Sequence, residues 1–370
     1  MSVMDVLMLA DKPLPAVRPT GIGVAAYNMA LALSRHHARV HFVCRGSFNR
    51  SSIINPSLKI NEIEHFSRDN FLVSASLLSG TNFNVVHVHS SSAFPSLALA
   101  RVLGKKVVTH CHADEPFHPI RATMMRNAGM NLSARVIAVS NSTKRDLIRT
   151  HRSLSSKIVV AYNGVNLGDW ECGVDNATVL RKYDLNPTDK IILSIGTIQR
   201  RKGQLLVVEC LPKVLATHSN VTYVNIGPTG EPTYRDRLLH RAETLGISQS
   251  VKLVEDVPQV DLASIAHASS ICVHPSEKEA FGLAVVEEMA CGKAVVAFGV
   301  GGIPEIIESG TNGLVTKPGD LNELSESILR LLDNESFLER LGAAAREKVS
   351  EKFTWDKTAE RLEEIYADLL

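Results

Sequence analysis

The stretch His274-Pro-Ser276-Glu277-Lys-Glu279-Ala-Phe281-Gly282-Leu283-Ala-Val-Val-Glu287-Glu288-Met-Ala-Cys-Gly292 decides how the rest of this 370-residue chain is read. The apolar run Ile271–His274 has the length and β-branched content of a buried strand, and Pro275-Ser276 ends it. A loop then carries Glu279, and Phe281-Gly282-Leu283 opens a helix with Glu287 in its second turn. The first amides of a helix have no partner within it, and its dipole favours an anion there. Two carboxylates beside bare amides suit a ligand that carries both hydroxyls and phosphate. The plainer alternative is an exposed helix face with ordinary acidic residues.

Outward from this stretch, short apolar runs alternate with helix-period segments along the whole chain. That pattern predicts parallel sheets covered by helices on both faces. The first half offers strands at Val3–Leu9, Val40–Cys44, Val85–His89, Lys106–His110, Val136–Val139 and Ile158–Ala161. The second half offers Lys190–Ile195, Val221–Ile226, Val251–Leu253, Ile271–His274, Ala294–Phe298 and Gly313–Thr316. Each set suffices for one doubly wound sheet, and the turn-rich segment from Tyr162 to Asp175 lies between them. Residues 1–165 and 166–352 are therefore expected as two Rossmann-like domains.

In such sheets chemistry sits beyond the carboxyl ends of strands. Gly196-Thr-Ile-Gln-Arg200-Arg201-Lys202-Gly203 follows one strand, and its three consecutive cations suit a diphosphate. Thr20-Gly21-Ile-Gly23, before an expected helix Val24–Arg35, would let backbone approach a bulky anion, or be an ordinary tight turn. His110 and His112 are expected on opposite sides of an extended chain, with one facing the ligand, so they are not expected to chelate a metal ion. His87 and His89 are expected to be structural.

Composition narrows the classes further. Hydrophobic residues at 45% and charged residues at 21% exclude a mainly disordered chain. Six scattered cysteines form no C-x-x-C pair, which fits a reducing cytoplasm better than a disulfide framework or a zinc site. The start Met1-Ser-Val-Met-Asp5 lacks the basic opening of a secretory signal. No D-x-D pair, G-x-x-x-x-G-K-[ST] loop or G-x-S-x-G elbow is present, so electrostatics by Arg, Lys and amides remains. The net charge of +1 hides a division: residues 1–170 hold 19 Lys and Arg against 9 Asp and Glu, residues 171–370 hold 21 against 30.

Taken together, P-S-x-x-E-x-F-G-L-x-x-x-E-x-M-A-x-G around Glu279 and Glu287, Thr20-Gly21-Ile-Gly23, Tyr162-Asn163-Gly164-Val165, Val300-Gly301-Gly302-Ile303-Pro304-Glu305, Asn312-Gly313-Leu314-Val315 and Phe353-Thr-Trp355 resemble the retaining nucleotide-sugar glycosyltransferases of family four. The resemblance covers nearly the whole chain. It implies the GT-B fold, an α/β architecture of two facing Rossmann-like doubly wound domains with a cleft between them, and a final helix in residues 353–370 that packs back on the first domain. It further implies a UDP- or GDP-linked sugar donor and retention at the anomeric carbon by front-face transfer without a metal or other cofactor. The acceptor would be a hydroxyl of a glycan, glycolipid or small molecule. Residue by residue, Lys202 and Arg201 would neutralise the diphosphate, and Phe281, Gly282 and Leu283 would frame it with backbone. Glu287 would bind ribose hydroxyls, and Glu279 would contact the transferred sugar. His112 would lie beside the reacting sugar, and Gly21 and Gly23 would close over the phosphates. Two positions depart from the family pattern: Thr197 stands where many members have Arg, and Ala280 where Gly is usual.

Two other readings compete, a nucleotide-sugar epimerase on the same fold and a non-catalytic two-lobe binding protein. The basic first half, with Lys105, Lys106, Arg121, Arg126, Lys144 and Arg145, is expected to meet an anionic acceptor, such as one at the inner membrane face. No nucleic-acid partner is expected.

Overall fold

The computed structural model describes residues 4–13, 21–45, 50–63, 66–89, 93–112, 120–171 and 175–370. It divides into two compact units, one running to Gly164 and completed by Trp355–Leu370, the other Val165–Thr354.

The first unit contains β1 (Met4–Pro13), β2 (Ala38–Arg45), β3 (Arg50–Asn55), β4 (Leu58–Ile63), β5 (Val85–Val88), β6 (Lys106–Cys111), β7 (Arg135–Ala138) and β8 (Ile158–Val160). They form one sheet in the order β3-β4-β2-β1-β5-β6-β7-β8. Every pairing is parallel except β3 with β4, which is an antiparallel edge. This edge pair is absent from the sequence expectation. Arg50-Ser-Ser-Ile-Ile-Asn55 has no continuous apolar run, because an edge strand need not be covered on both faces.

The Trp355–Ala367 helix belongs to this first unit because its apolar stripe recurs at helical spacing. Trp355, Ala359, Leu362 and Ile365 are buried, and the helix packs on the Gly21–Arg35 helix. Thr358 Oγ1 donates to the Tyr162 carbonyl at 2.9 Å, and Glu363 accepts from the His37 amide at 2.8 Å.

The second unit contains β9 (Lys190–Ile195), β10 (Val221–Ile226), β11 (Val251–Val254), β12 (Ile271–His274), β13 (Val295–Phe298) and β14 (Leu314–Thr316). All are parallel, in the order β11-β10-β9-β12-β13-β14, and each matches a strand read from the sequence. Val207, Leu211 and Val214 of the Gln204–Leu215 helix meet Leu324, Ile328 and Leu331 of the Leu321–Leu332 helix over Val296 and Phe298. Each such side chain contributes roughly 1.5–3 kcal/mol by leaving water. The result is a stiff floor from which the strand-end loops project. Among the described residues no helix is long and apolar enough to cross a membrane.

Candidate functional site

In the second unit β9 pairs with β10 on one side and β12 on the other. The strand order therefore turns at β9, and in a doubly wound sheet the crevice opens there, between the loops leaving the two adjacent strands. Those loops hold Lys202, after β9, and Glu279, after β12. Lys202 Nζ donates to Glu279 Oε2 at 2.7 Å, and the two side chains are only 18% and 16% exposed. Arg201 Nη1 donates to the Lys278 carbonyl at 3.0 Å, and the Glu277 amide donates to the Arg201 carbonyl at 2.9 Å. Arg200 remains exposed, 4.0 Å from Glu277.

Two glycines make this approach of loops geometrically feasible. Gly203 has φ +73°, and a Cβ on it would stand 2.0 Å from the Pro275 carbonyl oxygen. Gly301 has φ +54°, and its Cβ would stand 1.6 Å from the Glu279 carbonyl oxygen. That oxygen also accepts from the Gly302 amide at 3.0 Å, so the backbone of Glu279 is clamped.

The helix Leu283–Ala290 starts from Gly282 at φ +116° with no side-chain cap. Its first amides are thus presented toward any acceptor that enters. The Phe281 ring is buried edge-on against Phe353, with centroids 5.8 Å apart, so what Phe281 can offer a ligand is backbone.

One turn on, Glu287 is pushed up to about 7, first by loss of water around its carboxyl and next by Glu288. Lys202 pulls it back down and Asp169 adds to the rise. Its neighbour Glu288 is fully buried, and His274 Nε2 lies 2.6 Å from Glu288 Oε2. Burial raises Glu288 as well, and His274 opposes that. Adjacent carboxylates thus take different roles, Glu287 beside the loops and Glu288 inside.

Loops after β10 and β11 complete the rim. The Ile198 amide donates to the Pro228 carbonyl at 2.9 Å, and Gln204 Nε2 to the Thr197 carbonyl at 2.9 Å. Thr229 donates to Glu255 through its amide at 3.2 Å and through Oγ1 at 2.7 Å, which holds Glu255 below the usual carboxylate range.

Lys202, Arg201, Glu279, Phe281, Gly282, Leu283 and Glu287 therefore all belong to this second-unit rim. Gly21, Gly23 and His112 lie in the first unit. The helix expected from Val24 already begins at Gly21, because a first turn needs no intrahelical donors. Gly21 is exposed with open space where a Cβ would be, and neither glycine has positive φ. Arg18 and Thr20, before them, lie outside the described residues.

The expectation that His110 and His112 point apart is overturned. Their rings stack at 4.5 Å and 7°, because residues two apart on an extended chain share a face. His87 and His89 do the same on β5 and just beyond it, with centroids 4.3 Å apart. His89 Nδ1 lies 2.9 Å from His112 Nε2, His110 Nδ1 3.3 Å from His87 Nε2, and His87 Nδ1 2.6 Å from Tyr366 Oη. Burial pushes all four down, His87 to about 3 and His112 to about 4, so they are neutral near pH 7. Paired H-x-H runs on neighbouring strands were the signal available for this cluster. The buried Glu288–His274 pair had none, since a Glu-Glu step shows no sidedness until the helix phase is known.

Residues 19–169 match the family model of Glycosyltransferase Family 4, and residues 175–348 that of Glycosyl transferases group 1. A D-inositol 3-phosphate glycosyltransferase of Thermobispora bispora is 30% identical over 70% of this chain, which spans 61% of that relative's length. An N-acetyl-alpha-D-glucosaminyl L-malate synthase of Bacillus anthracis is 25% identical over 95% of this chain and 94% of its own. Among solved structures, Anabaena HepE in complex with UDP-glucose superposes with a TM-score of 0.80 at 21% identity, covering 99% of this chain and 100% of that one. The chain thus belongs to the group 1, family 4 glycosyltransferases and has their GT-B fold of two Rossmann-like domains.

Proposed function

We propose that this protein transfers a hexosyl group from a UDP- or GDP-linked sugar to a hydroxyl of a glycan, glycolipid or small-molecule acceptor, with retention at the anomeric carbon. The observation that carries the reading is the 2.7 Å Lys202–Glu279 pair at the strand-order switch, beside an uncapped helix start. A donor diphosphate entering there takes over Lys202 and the amides at Gly282 and Leu283, with Arg201 alongside. Glu279, released from the ammonium, accepts hydroxyls of the sugar, and Glu287 those of the ribose. The related Anabaena structure holds UDP-glucose, which supports a nucleotide-sugar donor.

In front-face transfer the bond from the anomeric carbon to the diphosphate oxygen breaks, and that oxygen accepts the proton of the attacking hydroxyl. No protein nucleophile is required. Lys202, Arg201 and the helix amides stabilise the charge that grows on the leaving diphosphate, which is the role a metal ion would otherwise take. His112 stands by the reacting sugar in this reading.

The acceptor side belongs to the basic first unit. Val102 is 84% exposed, Met124 66% and Leu72 62%, on three helices that pack in series, Phe66–Gly80, Phe94–Val102 and Ile120–Leu132. Apolar side chains beside Arg101, Lys105 and Lys106 suit peripheral contact with an anionic membrane carrying the acceptor. Co-sedimentation with anionic vesicles should occur at low salt and weaken as salt rises; no binding at low salt would assign a free acceptor.

The test of the activity is incubation with UDP-, GDP- and ADP-sugars and a panel of acceptors, read by proton NMR at the anomeric position. Retained configuration in a new glycoside is expected. An inverted product would overturn the front-face step, and isomerised donor without acceptor would assign an epimerase instead.

A further inference from the structure

The first unit holds a group of side chains for which the transfer reaction has no use. His87, His89 and His110 end the neighbouring strands β5 and β6, whose register pairs His87 with Val108 and Val88 with Thr109. One ring nitrogen of each lies within 4.8 Å of the others, and all three residues are buried. Among the described residues, His89 Nε2 and His110 Nε2 have no hydrogen-bond partner although both are enclosed. A buried polar atom left unpaired is costly, so two such ring nitrogens in one buried cluster call for a partner.

We propose that His87, His89 and His110 bind one divalent transition-metal ion of the zinc, cobalt and nickel class, with Tyr366 and His112 as its outer support. The donor set decides the class: three imidazoles suit these ions, whereas magnesium and calcium require oxygen ligands. His89 and His110 offer their unpartnered Nε2 atoms. His87 offers Nε2, because its Nδ1 lies 2.6 Å from Tyr366 Oη. A ligating histidine ordinarily donates its other ring N–H to a fixed acceptor, which sets tautomer and ring orientation. Tyr366 Oη fills that role for His87, and His112 Nε2, 2.9 Å from His89 Nδ1, fills it for His89. Ligation through His87 Nε2 would replace its 3.3 Å hydrogen bond with His110 Nδ1 by a metal–imidazole bond of roughly 2.0–2.1 Å. The ion would fix His89 and, through it, the orientation of His112. Nothing in this proposal depends on which donor the second unit takes.

The experiment uses the full-length protein, stripped with chelator and dialysed to equilibrium against cobalt(II), with bound metal counted by mass spectrometry and its ligands read from visible absorption. One cobalt per chain with the d–d bands of a nitrogen-ligated ion is expected, displaced by zinc and not by magnesium. His89→Gln and His110→Gln should each weaken binding by about 100-fold or more, and Tyr366→Phe by about 10–100-fold. Should the histidine variants fail to fold by circular dichroism, paramagnetic shifts of the histidine ring protons in the wild-type protein read the same site directly. Absence of stoichiometric cobalt, full binding in folded His89→Gln and His110→Gln, or bound cobalt that leaves these ring protons unshifted would overturn the proposal.

Discussion

Both units place their polar groups beyond the carboxyl ends of parallel strands, yet they do so with opposite electrostatics. At the β9/β12 switch a lysine and three carboxylates crowd together, with Lys202 on Glu279 at 2.7 Å and Glu287 raised to about 7. At the ends of β5 and β6 four imidazoles stack with burial holding every one of them neutral. The first arrangement keeps mobile charge ready for an anionic ligand. The second keeps neutral lone pairs in a dry place, where charge is resisted. The same topological address therefore serves two chemistries, and pH should pull on them in opposite directions.

The largest effect expected is on the acid side. The four histidines bind protons near 6.5 when unfolded and only well below that when folded, so their stability contribution is full above pH 6.5 and is lost as pH falls toward their folded values. Each contributes a slope of about 1.4 kcal/mol per pH unit in that window. Urea midpoints between pH 7 and 5 should fall steeply, and hydrogen exchange should locate the loss in strands β5 and β6. A flat profile would contradict burial of the four imidazoles in their neutral form.

Next in size is Lys202→Ala. Removing the cation from a partly dry site should lower transfer about 100-fold, roughly 3 kcal/mol of transition-state stabilisation, with the circular dichroism unchanged. Near-normal turnover would mean that the charged crevice is not where the diphosphate sits.

Glu287→Gln comes third and sharpens the contrast of sign. The wild-type carboxyl prefers to stay protonated when folded, up to about 7 against an ordinary 4.5, so the native state loses stability as pH rises through that interval. Discounted for residual solvent contact, the amide should stabilise the chain by about 2 kcal/mol at pH 8 and by little at pH 4.5, while weakening donor binding. A variant equally stable relative to wild type at both pH values would contradict the assigned cause.

The smallest effect is Glu255→Gln. Its bonds to Thr229 lie at the surface and should be worth less than about 1 kcal/mol, seen as a slight fall in the thermal midpoint and loosening of the loop after β10.

How much of this was legible differs between the units for physical reasons. The inner strands of the second unit announce themselves because both faces of a parallel sheet are covered, which favours continuous apolar runs such as Ile191–Leu193 and Val295–Phe298. The edge pair β3–β4 escapes notice because its first strand has only Ile53 and Ile54 as apolar residues among Arg50, Ser51, Ser52 and Asn55. In the site, the Glu279 and Glu287 spacing and the cations of Arg200–Lys202 can be read from the chain, but their pairing across 77 residues cannot. It depends on which strands lie side by side. The histidine cluster is legible in the two H-x-H runs, because side chains two apart on a strand share one face. Tyr366, 279 residues from His87, becomes a partner only through the return of the final helix.

The central claim, that the second-unit crevice binds a nucleoside diphosphate sugar, is tested most directly by calorimetric titration of UDP-, GDP- and ADP-sugars into the wild-type protein and Lys202→Ala. One donor should bind the wild type at a single site, and Lys202→Ala should weaken it about 100-fold, a loss of roughly 2.7 kcal/mol. Equal affinity in the two proteins, or no binding of any sugar nucleotide to the wild type, would contradict it.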